Sequence, residues 1–258
     1  MDLALPVGHM LPVYQRAHPR YDRFLPHLAK YLPRRSSIID VGANCGDTFA
    51  VMYTANPSLS FLCIEADPDL YVYLCRNVAA STIESRQVQI VKAFVGRDIT
   101  GVRLEGCGGT KHAMSGGNIE AKTLDQIFAD AYLCHDVSLL KVDVDGFDYD
   151  VINSAPNLIA EQHPMIFFEC QYDRPSQRNG YISTISSLDE RGYHDWTVFD
   201  NYGEVILRTD DIGTLWHLIE YVHRQNIGKT TRTIYYLDIL ASRGVIDWSL
   251  IADALKDY

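Results

Sequence analysis

The stretch SSIIDVGANCGDTF, residues 36–49, restricts the possible fold more than any other part of the chain. An apolar run, Ile38-Ile39-Asp40-Val41, leads into Gly42-Ala43-Asn44-Cys45-Gly46-Asp47, and a helical pattern begins at Thr48. Strand, tight glycine turn and helix in that order predict the first βα unit of an α/β sheet. Glycine accepts the left-handed backbone of such a turn and lets the chain approach a ligand closely. The N–H groups at the helix start have no intrahelical partners, so this edge of the sheet is where a nucleotide-like ligand is held.

Alternation continues along the chain. Strands are predicted at 37–41, 60–65 (SFLCIE), 88–96 (VQIVKAFVG), from 138 (SLLKVDVDG), at 164–170 (PMIFFEC), 193–199, 204–208 and 233–241, with Asn201-Tyr202-Gly203 as a hairpin signal. Helices are predicted at 20–32, 48–55, from Pro68, from Thr123, over FDYDVINSA, and at 181–191, 211–225 and 247–255. In the helix begun by Pro68, residues Leu70, Leu74, Asn77 and Val78 share one face. A short extra strand at 99–104 precedes a glycine-rich stretch, 106–117, that reads either as a substrate lid or as a plain insertion.

With 258 residues and no linker, a single domain is expected, residues 1–35 forming a helical cap on the body at 36–258. A formal charge of -10 has the wrong sign for tracking a phosphate backbone, so nucleic acid is not expected as a partner. The six cysteines form no CxxC pair and read as reduced, small apolar residues of a cytoplasmic protein. The first twenty residues lack a signal-peptide pattern, and no later run is long and apolar enough to span a bilayer.

Three predicted strands, the second, fourth and fifth, end in carboxylates at one sheet edge: Glu65, Asp143 and Glu169. Glu65 follows Asp40 by 25 positions, a spacing that puts it at the strand tip beside the glycine turn, where a carboxylate can take both hydroxyls of a ribose. Dinucleotides and S-adenosylmethionine both use such a site. The dinucleotide fingerprint needs G-x-G-x-x-G, whereas Asn44 stands here at the central glycine and Asp47 at the helix start. A carboxylate there repels a pyrophosphate and suits a cationic ligand, and Asp40 is placed to meet an ammonium. S-adenosylmethionine fits this pattern better than NAD.

IIDVGANCGDTF, IEADPDLYVYLCRNV, TLDQI, LLKVDVDGFDYDVINSA and PMIFFEC, in this order, resemble the FkbM family of S-adenosylmethionine-dependent methyltransferases over roughly residues 36–200. The resemblance implies a class I, Rossmann-like methyltransferase fold, with a seven-stranded, mostly parallel sheet of order 3-2-1-4-5-7-6, strand seven antiparallel and helices on both faces. It places Asp40, Gly42, Asn44 and Gly46 on the cofactor loop, Glu65 on the ribose carboxylate, and Lys141, Asp143, Asp145 and Gly146 on the fourth-strand motif. That motif more often carries Glu where this chain has Asp145 and Asp148. The full set assigned to the cofactor is Asp40, Gly42, Ala43, Asn44, Gly46, Glu65, Ala66, Ala93 and Asp143. The resemblance also implies O-methylation of a sugar, glycan or natural-product hydroxyl.

Methyl transfer needs acceptor, methyl and sulfur in line, and a hydroxyl acceptor must lose its proton. Asp143, Asp145, Lys141 and Glu169 are therefore the catalytic candidates, and Asp143, Asp145 and Glu169 the set that would hold Mg²⁺. His112 and His135 are alternative bases. Segment 211–258 is where an apolar patch would build a homodimer. Two other readings are an NAD(P)-linked oxidoreductase and a methyltransferase-like module that binds without turnover.

Overall fold

The computed structural model describes the chain except residues 1, 98–101, 108–109, 116–119, 134 and 172–174; of residues 102–107, 110–115, 175 and 245–246 it describes the backbone alone. The first strand, β1 (Ser37–Val41), is wholly buried and lies between β2 (Ser60–Glu65) and β8 (Val137–Val142), parallel to both. Outward from β2 lies β3 (Val88–Lys92); outward from β8 lies β9 (Met165–Cys170), also parallel. β12 (Leu237–Ser242) then inserts antiparallel between β9 and β10 (Asp195–Asp200), and β11 (Val205–Thr209) pairs antiparallel at the far edge. The eight strands run β11-β10-β12-β9-β8-β1-β2-β3. This is the expected 3-2-1-4-5-7-6 order with one more strand: the hairpin around Tyr202 contributes both its arms to the sheet, so the count is eight rather than seven.

Side chains alternate across the sheet. Ile38 and Phe167 face a core built with α2 (Phe24–Tyr31), α3 (Asp47–Ala55), α4 (Pro68–Ala79) and α10 (Gly244–Asp257). Ile39, Val41 and Phe168 face the other, built with α5 (Leu124–Asp130), α6 (Asp148–Asn153), α7 (Pro156–Gln162), α8 (Pro175–Glu190) and α9 (Ile212–Asn226). Helix α4 buries the four residues its spacing selects, Leu70, Leu74, Asn77 and Val78, and starts on Asp67, whose carboxylate accepts the N–H groups of Asp69 and Leu70. Thr123 and Gln126 form a reciprocal capping box at α5.

Several boundaries differ from expectation. The third strand ends at Lys92, with the Ala93 N–H giving the last ladder bond to the Glu65 carbonyl (3.2 Å), and β4 (Phe94–Val95) pairs instead with β7 (Ala121–Lys122). The extra strand is β5 (Val102–Cys107), paired antiparallel with β6 (Thr110–Ser115), and the two take in every described residue of the glycine-rich stretch; the rest of that stretch lies outside the described residues. Helix α8 starts at Pro175, about a turn and a half before 181, because Pro at the first helical position is already set at a helical φ. Pro156 likewise opens α7, and α1 (Leu11–Ala17) forms in the N-terminal segment.

Residues from His9 to Leu25 line the cavity side of the sheet's carboxyl edge. α2 packs on α3 and α10. Ahead of it, Ala4 exchanges two backbone hydrogen bonds with the Asn77 side chain (2.8 and 2.9 Å), and the Tyr258 hydroxyl donates to the Arg20 carbonyl (3.0 Å). The segment is thereby tied at both ends across the mouth of the site. No helix among the described residues is long and apolar enough to cross a membrane, and the described cysteines Cys45, Cys63, Cys75 and Cys170 are free.

Candidate functional site: a cavity at the carboxyl edge of the sheet

A cavity of about 700 Å³ opens between the carboxyl edge of the sheet and the N-terminal segment. Small-molecule sites typically measure roughly 300–1,000 Å³. One half is built by the turn after β1. Gly42 has φ +78, and a Cβ there would sit 1.9 Å from the Asp143 carbonyl oxygen, so the close approach of the β1 and β8 turns requires glycine. The N–H groups of Gly42 and Ala43 both donate to the Ile64 carbonyl at 3.0 Å, and this locks the turn to the end of β2.

At that end stands Glu65, 7% exposed. Its Oε2 accepts the Asn44 N–H (2.8 Å) and its Oε1 the Asp67 N–H (2.7 Å). Each carboxylate oxygen keeps a second acceptor site, so both remain able to take a ribose hydroxyl. Burial pushes the Glu65 carboxyl up to about 6, against the pull of those two backbone bonds. Asn44, itself at φ 49, directs its Oδ1 to the Cys45 N–H (2.8 Å) and to His9 Nε2 (3.1 Å).

Of the residues assigned to the cofactor, Gly42, Asn44, Glu65, Ala66, Ala93 and Asp143 line the cavity. Asp40, Ala43 and Gly46 are not among the lining residues. Ala43 packs into the core, and Gly46, at φ +80, caps α3 where a Cβ would lie 2.9 Å from Leu74. Asp40 is fully buried and faces a different ammonium from the one anticipated. It is the register partner of Lys141, whose Nζ lies 3.1 Å from its Oδ1 as an ion pair without hydrogen-bond alignment.

Lys141 is the cationic centre of the floor. Its Nζ donates to the Gly42 carbonyl (3.0 Å) and lies 3.4 Å from Asp143 Oδ2, so one side chain joins the β1 turn, the β1 strand and the β8 turn. Burial alone would pull its pKa down, but Asp40, Asp143 and Asp47 outweigh it and hold the ammonium charged. Burial raises the Asp40 carboxyl, with Lys141 opposing.

Asp143, Asp145 and Glu169 all line the cavity. Asp143 is the accessible one, its side chain 48% exposed. Asp145 sits at φ 54 and Gly146 at φ +87, a left-handed turn closed by Gln177, whose Nε2 donates to the Gly146 carbonyl (3.1 Å). The cap position of α6 is held by Phe147. Asp148 is fully buried, and its Oδ1 accepts the Glu169 N–H (3.1 Å). Burial, followed by the charges of Asp143, Asp148 and Asp238, pushes the Glu169 carboxyl well above the carboxylate range.

The Mg²⁺ assignment does not stand: among the described residues no group of three His, Cys, Asp or Glu side chains is arranged to hold a metal ion. The place beside Asp143 is taken by the Lys141 ammonium. His135 is not a lining residue, and its carbonyl accepts the Ser37 hydroxyl at the opposite end of β1. The His112 side chain lies outside what the structure describes.

Besides Glu169, the other half of the cavity is lined by residues that no sequence motif marks: Tyr21, Asp22, Tyr236 and Asp238, with His18. The Tyr21 and Tyr236 hydroxyls are hydrogen-bonded. Asp22, at φ 54, opens into the cavity; enclosure by protein, then the charges of Asp143 and Asp47, push it up to about 7 against Lys141 and Arg23.

A sequence model described as "Methyltransferase FkbM domain" matches residues 40–194, more than half of the chain. The chain belongs to the FkbM methyltransferase family. Among solved structures the FkbM methyltransferase is similar to the "METTL16 MTase domain", with TM-score 0.51 and 11% identity over 95% of this chain and 74% of that one. It is also similar to "Methyltransferase FkbM from Methylobacillus flagellatus KT", with TM-score 0.41 and 13% identity over 89% of this chain and 58% of that one. No curated protein sequence matches it. Family and fold are those of S-adenosylmethionine-dependent methyltransferases.

Proposed function

We propose that this FkbM-family protein transfers a methyl group from S-adenosylmethionine to a hydroxyl of a small sugar, glycan or natural-product acceptor. The observation that carries the donor assignment is Glu65: a carboxylate fixed by two backbone N–H groups beside the Gly42–Asn44 turn, with acceptor capacity left on both oxygens. The acidic helix start supports a cationic donor, since Asp47 lines the same space.

When bound, S-adenosylmethionine supplies an electrophilic methyl on its sulfonium. Glu65 holds the ribose, Asn44 and the Ala66 and Ala93 backbone segments shape the adenosine side, and Lys141 fixes the Gly42 carbonyl and Asp143 at one spacing. Asp143, accessible and next to that ammonium, accepts the proton of the acceptor hydroxyl. Asp22 faces the same space and, poised near neutrality, is the residue to which that proton can pass.

The test is transfer of labelled methyl from S-adenosylmethionine to a panel of hydroxylated acceptors by wild type and Asp143→Asn. Transfer by wild type and its loss in the variant support the assignment. Wild-type turnover by Asp143→Asn would remove Asp143 from the mechanism.

A further inference from the structure

The antiparallel entry of β12 brings its first residues to the same sheet edge as the last residues of β9. Asp238 and Glu169 are direct register partners across that pair, and both line the cavity. Like charges directly opposite one another in an antiparallel ladder are destabilising. In the free chain protonation, and not a cation, relieves the repulsion: among the described residues neither carboxylate is ion-paired to Lys or Arg. Lys141 is engaged by Asp40 and Asp143, and Arg20 by Glu204. Glu169 is 7% exposed and its Oε1 has no hydrogen-bond partner.

Around this pair the walls are aromatic. Phe167 precedes Glu169 on the same face of β9, Phe199 is the other register partner of Asp238, and Tyr236 precedes Asp238 with its hydroxyl bonded to Tyr21. Aromatic faces beside unpaired carboxylates are the surroundings in which a desolvated organic cation is held, by ring quadrupole and by charge together.

We propose that the Glu169–Asp238 pair binds a cationic group, an ammonium or guanidinium, carried by the methyl acceptor. The inference rests on the donor and acceptor sharing this cavity as set out above. The cation is a recognition element that stays charged; the methylated atom is the neighbouring hydroxyl. Both carboxyls are pushed well above the carboxylate range by burial and by their acidic neighbours, so arrival of a cation ionises them and binding releases protons.

The experiment uses the full chain saturated with S-adenosylhomocysteine, titrated calorimetrically with three cations and their neutral counterparts: methylammonium and methanol, guanidinium and urea, tyramine and tyrosol. At least one cation is expected to bind tenfold or more tightly than its counterpart, releasing protons, as seen by comparing buffers of different ionisation enthalpy. Glu169→Gln and Asp238→Asn should each abolish that preference while leaving S-adenosylhomocysteine affinity unchanged. Both replacements are isosteric, and melting temperatures equal to or above wild type show that they fold. Equal binding within all three pairs, or a charge preference that survives both substitutions, overturns the proposal. Failure of S-adenosylhomocysteine itself to bind would overturn the methyltransferase function as well, so the two failures are told apart in one titration series.

Discussion

The two halves of the cavity treat their carboxylates differently. On the β1–β2 side four are answered by the protein: Glu65 by two backbone N–H groups, Asp67 by two at the start of α4, Asp40 and Asp143 by Lys141. On the β9–β12 side Glu169 and Asp238 oppose each other with no ion pair among the described residues, and Asp22 has only the more distant charges of Lys141 and Arg23 against it. A half whose charges are already satisfied can hold a ligand of one fixed chemistry. A half whose charges are unsatisfied in the free protein is completed by what it binds. That contrast matches an invariant methyl donor against an acceptor that differs from one methyltransferase to another.

Asp143 stands where the halves meet, so its loss should have the largest effect. Asp143→Asn is expected to slow methyl transfer by roughly 10²–10⁴-fold, the usual worth of a general base, with the donor still bound. Single-turnover rates at saturating donor measure it, and a loss below about tenfold would move the base elsewhere.

Next comes the cation that holds the two turns together. Lys141→Met leaves Asp40 buried without its partner, and breaking such a pair costs about 3–5 kcal/mol. Urea unfolding reads this directly; a cost under about 1 kcal/mol would mean that Asp40 is held neutral and Lys141 serves only the cavity.

Glu65→Ala should act on the donor half alone. Hydrogen bonds to a charged group are worth about 1.5–3 kcal/mol, so the affinity for S-adenosylhomocysteine should fall roughly 10–150-fold. Binding of cationic acceptor analogues should change little. A drop of equal size in both would show that the halves are one coupled unit.

The smallest effect is on stability against pH. Asp22 rises from an ordinary 3.8 to about 7, so the folded, ligand-free protein binds more protons there than the unfolded chain. Stability conferred below pH about 4 is therefore lost progressively as pH rises through about 7. Lys141, shifted upward, stays charged across that window and does not offset the trend. Denaturation midpoints at pH 5 and pH 8 should differ in wild type and differ less in Asp22→Asn. An identical difference in both would remove Asp22 from the titrating set.

The donor half was legible in the sequence because it is made of local rules. Glycine at 42 answers a backbone contact of 1.9 Å, and the acidic strand end at Glu65 answers a parallel neighbour one βα unit away. The face of α4 follows from helical spacing alone. The acceptor half follows from topology instead. A search for carboxylates at the ends of strands finds Glu169 but passes over Asp238, because an antiparallel strand brings its beginning, not its end, to that edge. The antiparallel seventh strand was expected at 233–241, but β12 begins only at Leu237, so Asp238, in the middle of the expected strand, stands at the start of the observed one. Asp22 had no such signal: it falls inside the helix expected over 20–32, whereas α2 starts only at Phe24 and leaves Asp22 in the turn ahead of it, on the strap tied by Ala4–Asn77 and Arg20–Tyr258. The break at Ala93 was equally hidden, since Phe94 and Val95 leave β2 to pair with Ala121 and Lys122, far along the chain.

The central claim is that the turn after β1 and Glu65 form a site for a methyl donor and not for a dinucleotide. Calorimetric titration of the purified chain with S-adenosylhomocysteine and, in parallel, with NAD⁺ tests it most directly. The account predicts one molecule of S-adenosylhomocysteine bound per chain, weakened by Glu65→Ala, and no heat from NAD⁺. Binding of NAD⁺ with no response to S-adenosylhomocysteine would contradict it.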